Sequence, residues 1–220
     1  MKTSRAIHCL AALLATSSAA ADPGTVEGTV HVTRPDASVS PLSVVVYVVG
    51  FAEPPPDAEA RITQHDRHFE PDLLAITVGQ TVSFPNDDVL THNVFSLSAA
   101  REFDLGQYPR GRTKTKKFPA AGVVDVYCNI HPEMAATVLV LPNRRFARPD
   151  DTGAFRITGV PPGKWTLYAY TRGATTPVST PIEVAPGQVT QAELTLVEDR
   201  KDHSHLNKFG EKYRESRTYP

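Results

Sequence analysis

Hydrophobic and polar residues alternate along most of this chain with the two-residue period of β-strands. Val26, Gly28, Val30 and Val32 alternate with polar neighbours, as expected for a strand with one buried face. Val44–Val49 is an uninterrupted apolar run, which is typical of a strand buried on both faces. Turn-forming residues recur about every 8–12 positions, and no segment keeps a helical period beyond about two turns. The pattern predicts an all-β fold built from sandwiches.

The central part of the chain, residues 56–142, carries a dense set of such strands. The run E-P-P-P-D at residues 53–57 breaks regular structure before it, and residues 143–150 form a polar link after it. Strands are predicted at residues 61–65, 73–78, 80–85, 92–97, 112–118, 123–128 and 136–141. We expect this central part to be one domain.

A third group of strands follows the link. Apolar residues alternate on both sides of Pro161-Pro162-Gly163, which has the signature of a type II turn. Residues 153–167 read G-x-F-x-I-x-x-V-P-P-G-x-W-x-L. This motif resembles the carboxypeptidase-regulatory-like (prealbumin-like) β-sandwich, in which such strands belong to one small domain.

The same resemblance extends to the beginning of the chain. That family starts with a strand like T-V-E-G-T-V at residues 25–30, followed by an apolar strand like Val44–Val49. The C-terminal group supplies only about four strands, which are few for an independent core. We therefore predict that residues 22–55 and 143–197 form one small sandwich, with domain 56–142 inserted into it. The alternative is that the N-terminal strands extend the central domain.

Both chain ends differ from the rest in composition. Residues 1–21 combine Lys2 and Arg5 with a short apolar stretch and three small alanines, which predicts a secretory signal peptide. No later segment approaches the roughly 20 apolar residues that a membrane span requires. We expect a periplasmic protein that begins near Asp22 and ends in a charged tail over residues 198–220, either mobile or draped over a surface.

Charge and cysteine content narrow the function. The signal removes two of 23 basic residues and none of 24 acidic ones, so the balance does not indicate a nucleic-acid partner. Of the two cysteines, Cys9 leaves with the signal and Cys128 stays alone. A lone thiol in an oxidising compartment is either a small buried core residue or one occupied by a metal.

The neighbours of Cys128 favour the metal. Residues 128–134 read Cys-x2-His-x2-Met, with His131 and Met134, and His92 lies about 35 residues upstream near another strand. One thiolate, two imidazoles and a weak thioether are the ligands of a type 1 (blue) copper ion. A structural zinc site would require more thiolates or a third imidazole.

Residues 60–141 resemble a cupredoxin of the plastocyanin/amicyanin type. Residues 78–86 read V-G-Q-T-V-S-F-P-N, similar to a characteristic strand of that family, and the short ligand loop with proline after histidine resembles that of amicyanin. The resemblance implies a Greek-key β-sandwich, one type 1 copper ion, and a role for Asn93 in tying the two ligand loops together by hydrogen bonds. Residues 102–108 depart from the pattern of small plastocyanins.

Weaker signals leave alternatives open. His65 and His68, and His203 and His205 in the tail, are either surface histidines or weak metal sites. The basic run at residues 110–117 is either a solvated edge strand or a docking patch for an acidic partner. The predicted docking surface around the exposed edge of His131 consists of Ile130, Pro132, Arg112, Lys114 and Lys116.

Three functions fit this sequence. The first is a one-electron carrier for a periplasmic redox partner, the second is a copper-tolerance or copper-delivery protein, and the third is an accessory subunit of a redox enzyme system. A storage protein would carry several Met- or His-rich segments, whereas Met134 is the only methionine beyond the signal. No nucleophile–base pair, paired carboxylates or phosphate loop indicates catalysis. The carrier is therefore the favoured hypothesis.

Overall fold

The computed structural model describes residues 21–34, 43–199 and 205–213, and these residues form strands, turns and loops without a helix. The predicted all-β fold is confirmed. The strands are β1 (Gly24–Thr33), β2 (Val44–Val49), β3 (Ala60–Arg61), β4 (Thr63–His65), β5 (His68–Glu70), β6 (Leu73–Thr77), β7 (Thr81–Pro85), β8 (His92–Ser96), β9 (Phe103–Tyr108), β10 (Thr113–Lys117), β11 (Gly122–Tyr127), β12 (Ala135–Leu141), β13 (Phe146–Ala147), β14 (Ala154–Val160), β15 (Gly163–Thr171), β16 (Val178–Val184) and β17 (Val189–Val197).

Two sheets form the central sandwich. One has the strand order β6-β12-β11-β8-β9 and the other has the order β10-β7-β3. Their facing side chains share one core, in which Phe84, Phe118, Val94 and Val126 are fully buried. The alternation seen in the sequence produces this core, because every second residue of a strand points to the same face.

Two further sheets contain strands from both ends of the chain. In the sheet with the order β14-β1-β17, the first strand of the chain lies between two late strands. In the sheet with the order β13-β2-β15-β16, the second strand lies between the later strands β13 and β15. Among the described residues, β1 and β2 pair with no strand of the central sheets. Val26 and Val46 from the early part pack with Leu167, Ile182 and others from the late part. This pairing is what the predicted insertion requires, and the division into domains 22–55, 56–142 and 143–197 remains our proposal.

A third apolar cluster lies where the two sandwiches meet. Val45 and Tyr47 of β2 pack against Leu73 of β6 and Leu139 of β12. β2 therefore uses both faces, one toward its own sandwich and one toward the central sheet. Its uninterrupted apolar run is the sequence signature of that double burial.

Some strands were not anticipated from the pattern. Residues 102–108, which depart from plastocyanins, contain β9, and this strand pairs with β8 at the edge of the five-stranded sheet. Along β9 the regular strand geometry is interrupted at Gly106, which has a positive φ of 66°. The pairing register with β8 also shifts between Asn93 and Phe95.

The signal-peptide prediction lies outside the described residues, apart from residue 21. No helix in the described ranges is long and apolar enough to cross a membrane.

Candidate metal centre

The predicted ligands come from two segments at one end of the five-stranded sheet. His92 begins β8, and Cys128 directly follows β11. Tyr127, the last residue of β11, pairs both with Phe95 of β8 and with Ala135, the first residue of β12. Antiparallel pairing thus brings the start of β8 and the turn between β11 and β12 to the same edge.

The loop of residues 128–134 is closed by its own backbone. The Cys128 amide donates to the Met134 carbonyl at 3.2 Å, and the Met134 amide donates to the His131 carbonyl at 3.1 Å. The Ile130 amide points at the Cys128 sulfur, with 3.4 Å between nitrogen and Sγ. These hydrogen bonds therefore restrict the conformation of the loop that carries three of the predicted ligands.

Three ligand atoms form a compact triangle. The Nδ1 atoms of His92 and His131 are 3.0 Å apart, and Cys128 Sγ lies 4.0 Å from the first and 3.9 Å from the second. The point equidistant from the corners of such a triangle is about 2.1 Å from each, close to the metal–nitrogen distance of about 2.0–2.1 Å and the metal–sulfur distance of about 2.3 Å. The three side chains therefore fit one first-row transition-metal ion. Within the described ranges, these three residues are the group of His, Cys, Asp or Glu side chains whose ligand atoms lie close enough together to hold one metal ion.

The fourth predicted ligand lies in the same core. Met134 is fully buried, as are His92 and Cys128, and the backbone bond between Cys128 and Met134 keeps these two residues adjacent. A buried set of one thiolate, two imidazoles and one thioether fits copper better than zinc, because only one thiolate is present.

Asp88 orients His92 from behind. Its Oδ2 lies 2.9 Å from His92 Nε2, so a proton on Nε2 leaves the lone pair of Nδ1 facing the other ligands. The same oxygen accepts the Arg67 amide at 2.7 Å, and Oδ1 accepts the Leu90 amide at 3.3 Å. Burial raises the pKa of Asp88, but the hydrogen bonds from Arg67, His92 and Leu90 outweigh it and hold that pKa well below its ordinary value. Asp88 is therefore an ionised, buried partner of the imidazole.

The turn between β4 and β5 supports both ligand segments. Asp66 and Arg67 have positive φ angles of 47° and 58°, and this conformation turns the Arg67 amide toward Asp88. The Arg67 guanidinium also reaches Glu133 in the ligand loop at 3.3 Å. Sequence analysis assigned neither Asp88 nor Arg67 to the site. The spacing Asp-x3-His before a strand was the available signal for Asp88.

The two imidazoles differ in exposure. His92 is fully buried, whereas His131 is only half-buried. Burial, followed by the influence of the neighbouring His92, lowers the pKa of His131 below its ordinary value, so this ring is neutral at pH 7 and can donate a lone pair.

Asn93 lies beside the site but has a different partner from the one the resemblance implied. Its Nδ2 donates to Asp104 Oδ1 at 2.7 Å, and its buried Oδ1 has no partner among the described residues. Among the described residues, no direct hydrogen bond joins the Asn93 side chain to the ligand loop. Asp104, on β9, also accepts a hydrogen bond from Lys208 Nζ at 2.7 Å.

The remaining candidate residues lie apart from the triangle. His65 and His68 face each other across the β4–β5 hairpin and are exposed. His203 lies outside the described residues, whereas His205 packs against the ligand loop with both ring nitrogens in contact with protein atoms.

The predicted docking residues form two groups. Ile130 and Pro132 are exposed in the ligand loop, as expected. Arg112 is exposed just before β10, while the ammonium groups of Lys114 and Lys116 lie over the rings of Tyr108 and Phe103, at 5.0 and 5.5 Å from the ring centres. Both lysines are therefore half-buried along β9. β10 is an edge strand, as the solvated-strand alternative supposed.

Comparison with known proteins finds no matching family model and no matching curated protein. Among solved structures, a purple cupredoxin from Nitrosopumilus maritimus is 28% identical, with 37% of this chain and 98% of that chain covered and a TM-score of 0.34. A reduced amicyanin with a tryptophan-to-tyrosine substitution is 23% identical, with 43% and 97% covered and a TM-score of 0.36.

Proposed function

We propose that this protein binds one type 1 copper ion through His92, Cys128, His131 and Met134 and carries single electrons between redox partners. The observation that carries the proposal is the triangle of two Nδ1 atoms and one Sγ, whose centre fits a metal ion, with a buried thioether in the same core. Copper in such a set alternates between its two oxidation states at a potential tuned by the surrounding side chains.

The chain itself supplies rigidity. His92 is held by β8 and Asp88, and the other three ligands belong to a loop that closes on its own backbone. A one-electron carrier works fastest when its ligands move little between oxidation states, and the full burial of His92, Cys128 and Met134 limits the access of water to the centre. Both properties favour electron transfer over metal delivery, in which the site must open to release its ion.

The half-buried His131 is the proposed exit for the electron. Near it, the ligand loop exposes Ile130, and the loop before His92 exposes Val89 and Leu90, which are 76% and 41% exposed. Exposed apolar side chains of this size suit a small, transient interface of less than about 1,200 Å². A partner that docks on this patch would approach the copper through the edge of the His131 ring.

Basic residues border this patch on one side. The Asn86 amide donates to the Arg112 carbonyl, and Asn86 Nδ2 also holds the Leu90 carbonyl, so Arg112 marks the end of β10 nearest to the site. Lys114 and Lys116 follow along the strand, at about 6.8 and 13.6 Å of strand length from Arg112. We propose that these charges steer an acidic, periplasmic redox protein toward the patch. The periplasmic location itself rests on the predicted signal peptide, and no enzymatic activity is proposed.

The test of the copper proposal is the visible spectrum of the Cu(II)-loaded protein. We expect an intense charge-transfer band from the Cys128 thiolate, and Cys128→Ser should abolish it because a hydroxyl does not replace the thiolate as a donor. Val123→Ala, which changes an exposed side chain of β11 and removes no ligand, is the control and should keep the band. A colourless protein that takes up Zn²⁺ and refuses Cu²⁺ would refute the assignment.

A further inference from the structure

The C-terminal residues 205–213 lie directly on the ligand loop. Tyr213 donates its hydroxyl to the Cys128 carbonyl at 2.5 Å, and His205 Nε2 lies 2.9 Å from the Pro132 carbonyl. The Lys208 amide donates to Asn129 Oδ1 at 2.9 Å. These contacts reach three residues of a seven-residue loop that carries three of the four proposed ligands.

Ring packing strengthens the same contact. The His205 ring stacks on Tyr127 with 3.9 Å between ring centres and 20° between planes, and Tyr213 meets His205 edge-on at 5.2 Å. Tyr127 is the residue before Cys128 and the last of β11. The C-terminal residues therefore contact the end of β11, from which the loop begins, as well as the loop itself.

A bridge of side chains connects this segment to the strand of His92. Asp104 accepts Asn93 Nδ2 through Oδ1 and Lys208 Nζ through Oδ2, both at 2.7 Å. Because the Lys208 amide also binds Asn129, the chain of contacts runs from Asn93 on β8 through Asp104 and Lys208 to the ligand loop. The resemblance implied a direct link from Asn93 to the ligand loop, and this route connects the two segments through Asp104 and Lys208.

The segment has a fixed shape of its own. The Asn207 amide donates to the Glu211 carbonyl at 2.8 Å, and Asn207 Oδ1 accepts the amides of Phe209 and Glu211 at 2.9 and 3.0 Å. Gly210, with a φ of 77°, closes the turn in a conformation that favours glycine. A preformed turn loses less conformational entropy when it docks than an extended tail would.

We propose that residues 205–213 are a clasp that positions the copper ligand loop against the strand of His92. Lys208, His205 and Tyr213 are positioning residues, since each acts on the ligands through Asn129, Pro132 or the Cys128 carbonyl. The proposal rests on the proposed copper site, but the docking it describes is made between protein atoms alone. The clasp also covers the Tyr127 side of the loop and leaves the side of His131 and Ile130 for a redox partner.

The first experiment measures amide hydrogen exchange in the metal-free, full-length protein. The variant Lys208→Ala/Tyr213→Phe removes an ion pair and a hydroxyl donor without changing the ligand loop. We expect the Ile130 and Met134 amides, both hydrogen-bonded within the loop, to exchange at least about fivefold faster, the factor expected for one lost hydrogen bond. Lys212→Ala removes an exposed cation from the same segment and is the matched control, with exchange unchanged.

The fold must remain intact for this comparison. The amide of Val138, inside β12, should exchange at the same rate in all variants, because β12 is a buried strand that the clasp does not touch. Unchanged exchange of Ile130 and Met134 in the double variant, with Val138 protected, would overturn the clasp.

The second experiment separates the clasp from the copper assignment. In copper-loaded protein, the double variant should lose its metal to a chelator several-fold faster than the Lys212→Ala control. A protein that binds no copper but shows faster loop exchange would refute the proposed function and leave the clasp standing. A protein that stays blue with equal exchange and equal metal loss in both variants would refute the clasp alone.

Discussion

Replacing Asp88 by Asn tests how much the ligand His92 depends on its buried carboxylate. The two side chains have the same shape, but Oδ2 of Asp88 serves both the Arg67 amide and His92 Nε2, at 2.7 and 2.9 Å. An amide has only one acceptor atom. If the amide oxygen of Asn occupies the position of Oδ2, its NH2 group occupies the position of Oδ1. The hydrogen bond from the Leu90 amide to Oδ1, which is 3.3 Å long, is then lost because both groups are donors.

The expected magnitude follows from these contacts. The variant loses one hydrogen bond and the negative charge that fixes the His92 ring. Loss of such an outer partner typically lowers metal affinity about 10–100-fold, which corresponds to about 1.4–2.7 kcal/mol. Loss of a negative charge beside the ligand destabilises Cu(II) more than Cu(I), so the reduction potential should rise. The metal-free protein should lose about 1–3 kcal/mol of unfolding free energy, because a buried polar group becomes unsatisfied.

Three measurements check this prediction: competitive copper titration, redox titration, and urea unfolding of the metal-free chain. Asp87→Asn is the matched control, since Asp87 is the neighbouring residue and its side chain forms an exposed ion pair with Arg61 at 3.2 Å. That control should change unfolding free energy by less than about 0.5 kcal/mol. If Asp88→Asn matched Asp87→Asn in affinity, potential and stability, the reasoning about the carboxylate would be refuted.

Two further predictions concern packing and docking. Leu167→Ala should reduce unfolding free energy by about 2–5 kcal/mol, because Leu167 is fully buried in the core shared by β1, β2 and the late strands. Limited proteolysis should then cut within residues 21–52 while the copper spectrum persists, and cleavage confined to residues 143–197 would contradict the insertion. Lys114→Glu/Lys116→Glu should slow electron exchange with an acidic partner at low salt and leave the spectrum unchanged, as stopped-flow measurements across a salt series would show. If the rate of electron exchange changed with neither charge reversal nor salt, these lysines would have no docking role and would be part of a solvated edge strand.

Much of the fold could be predicted from local pattern. The all-β class follows from two-residue alternation, and the double burial of Val44–Val49 from its uninterrupted apolar run. β9 was missed because Gly106 and the polar residues around it weaken the alternation, and an edge strand needs less apolar surface than a central one.

The candidate ligands could also be chosen from the sequence alone. Thiolate, imidazole and thioether have distinct metal preferences, so residue types and the short spacing from Cys128 to Met134 were enough to predict copper as the metal. This chemistry belongs to the side chains themselves and needs no knowledge of distant parts of the chain.

Only the tertiary structure decided what holds those ligands. Lys208 reaches Asn129 across 79 residues and Tyr213 reaches Cys128 across 85, and nothing in the local sequence of a charged tail indicates such contacts. Asn93 turns to Asp104 because β9 lies beside β8, a pairing set by the sheet order. Ligand identity is a property of individual residues, whereas support of the ligands depends on long-range packing, which local periodicity does not encode.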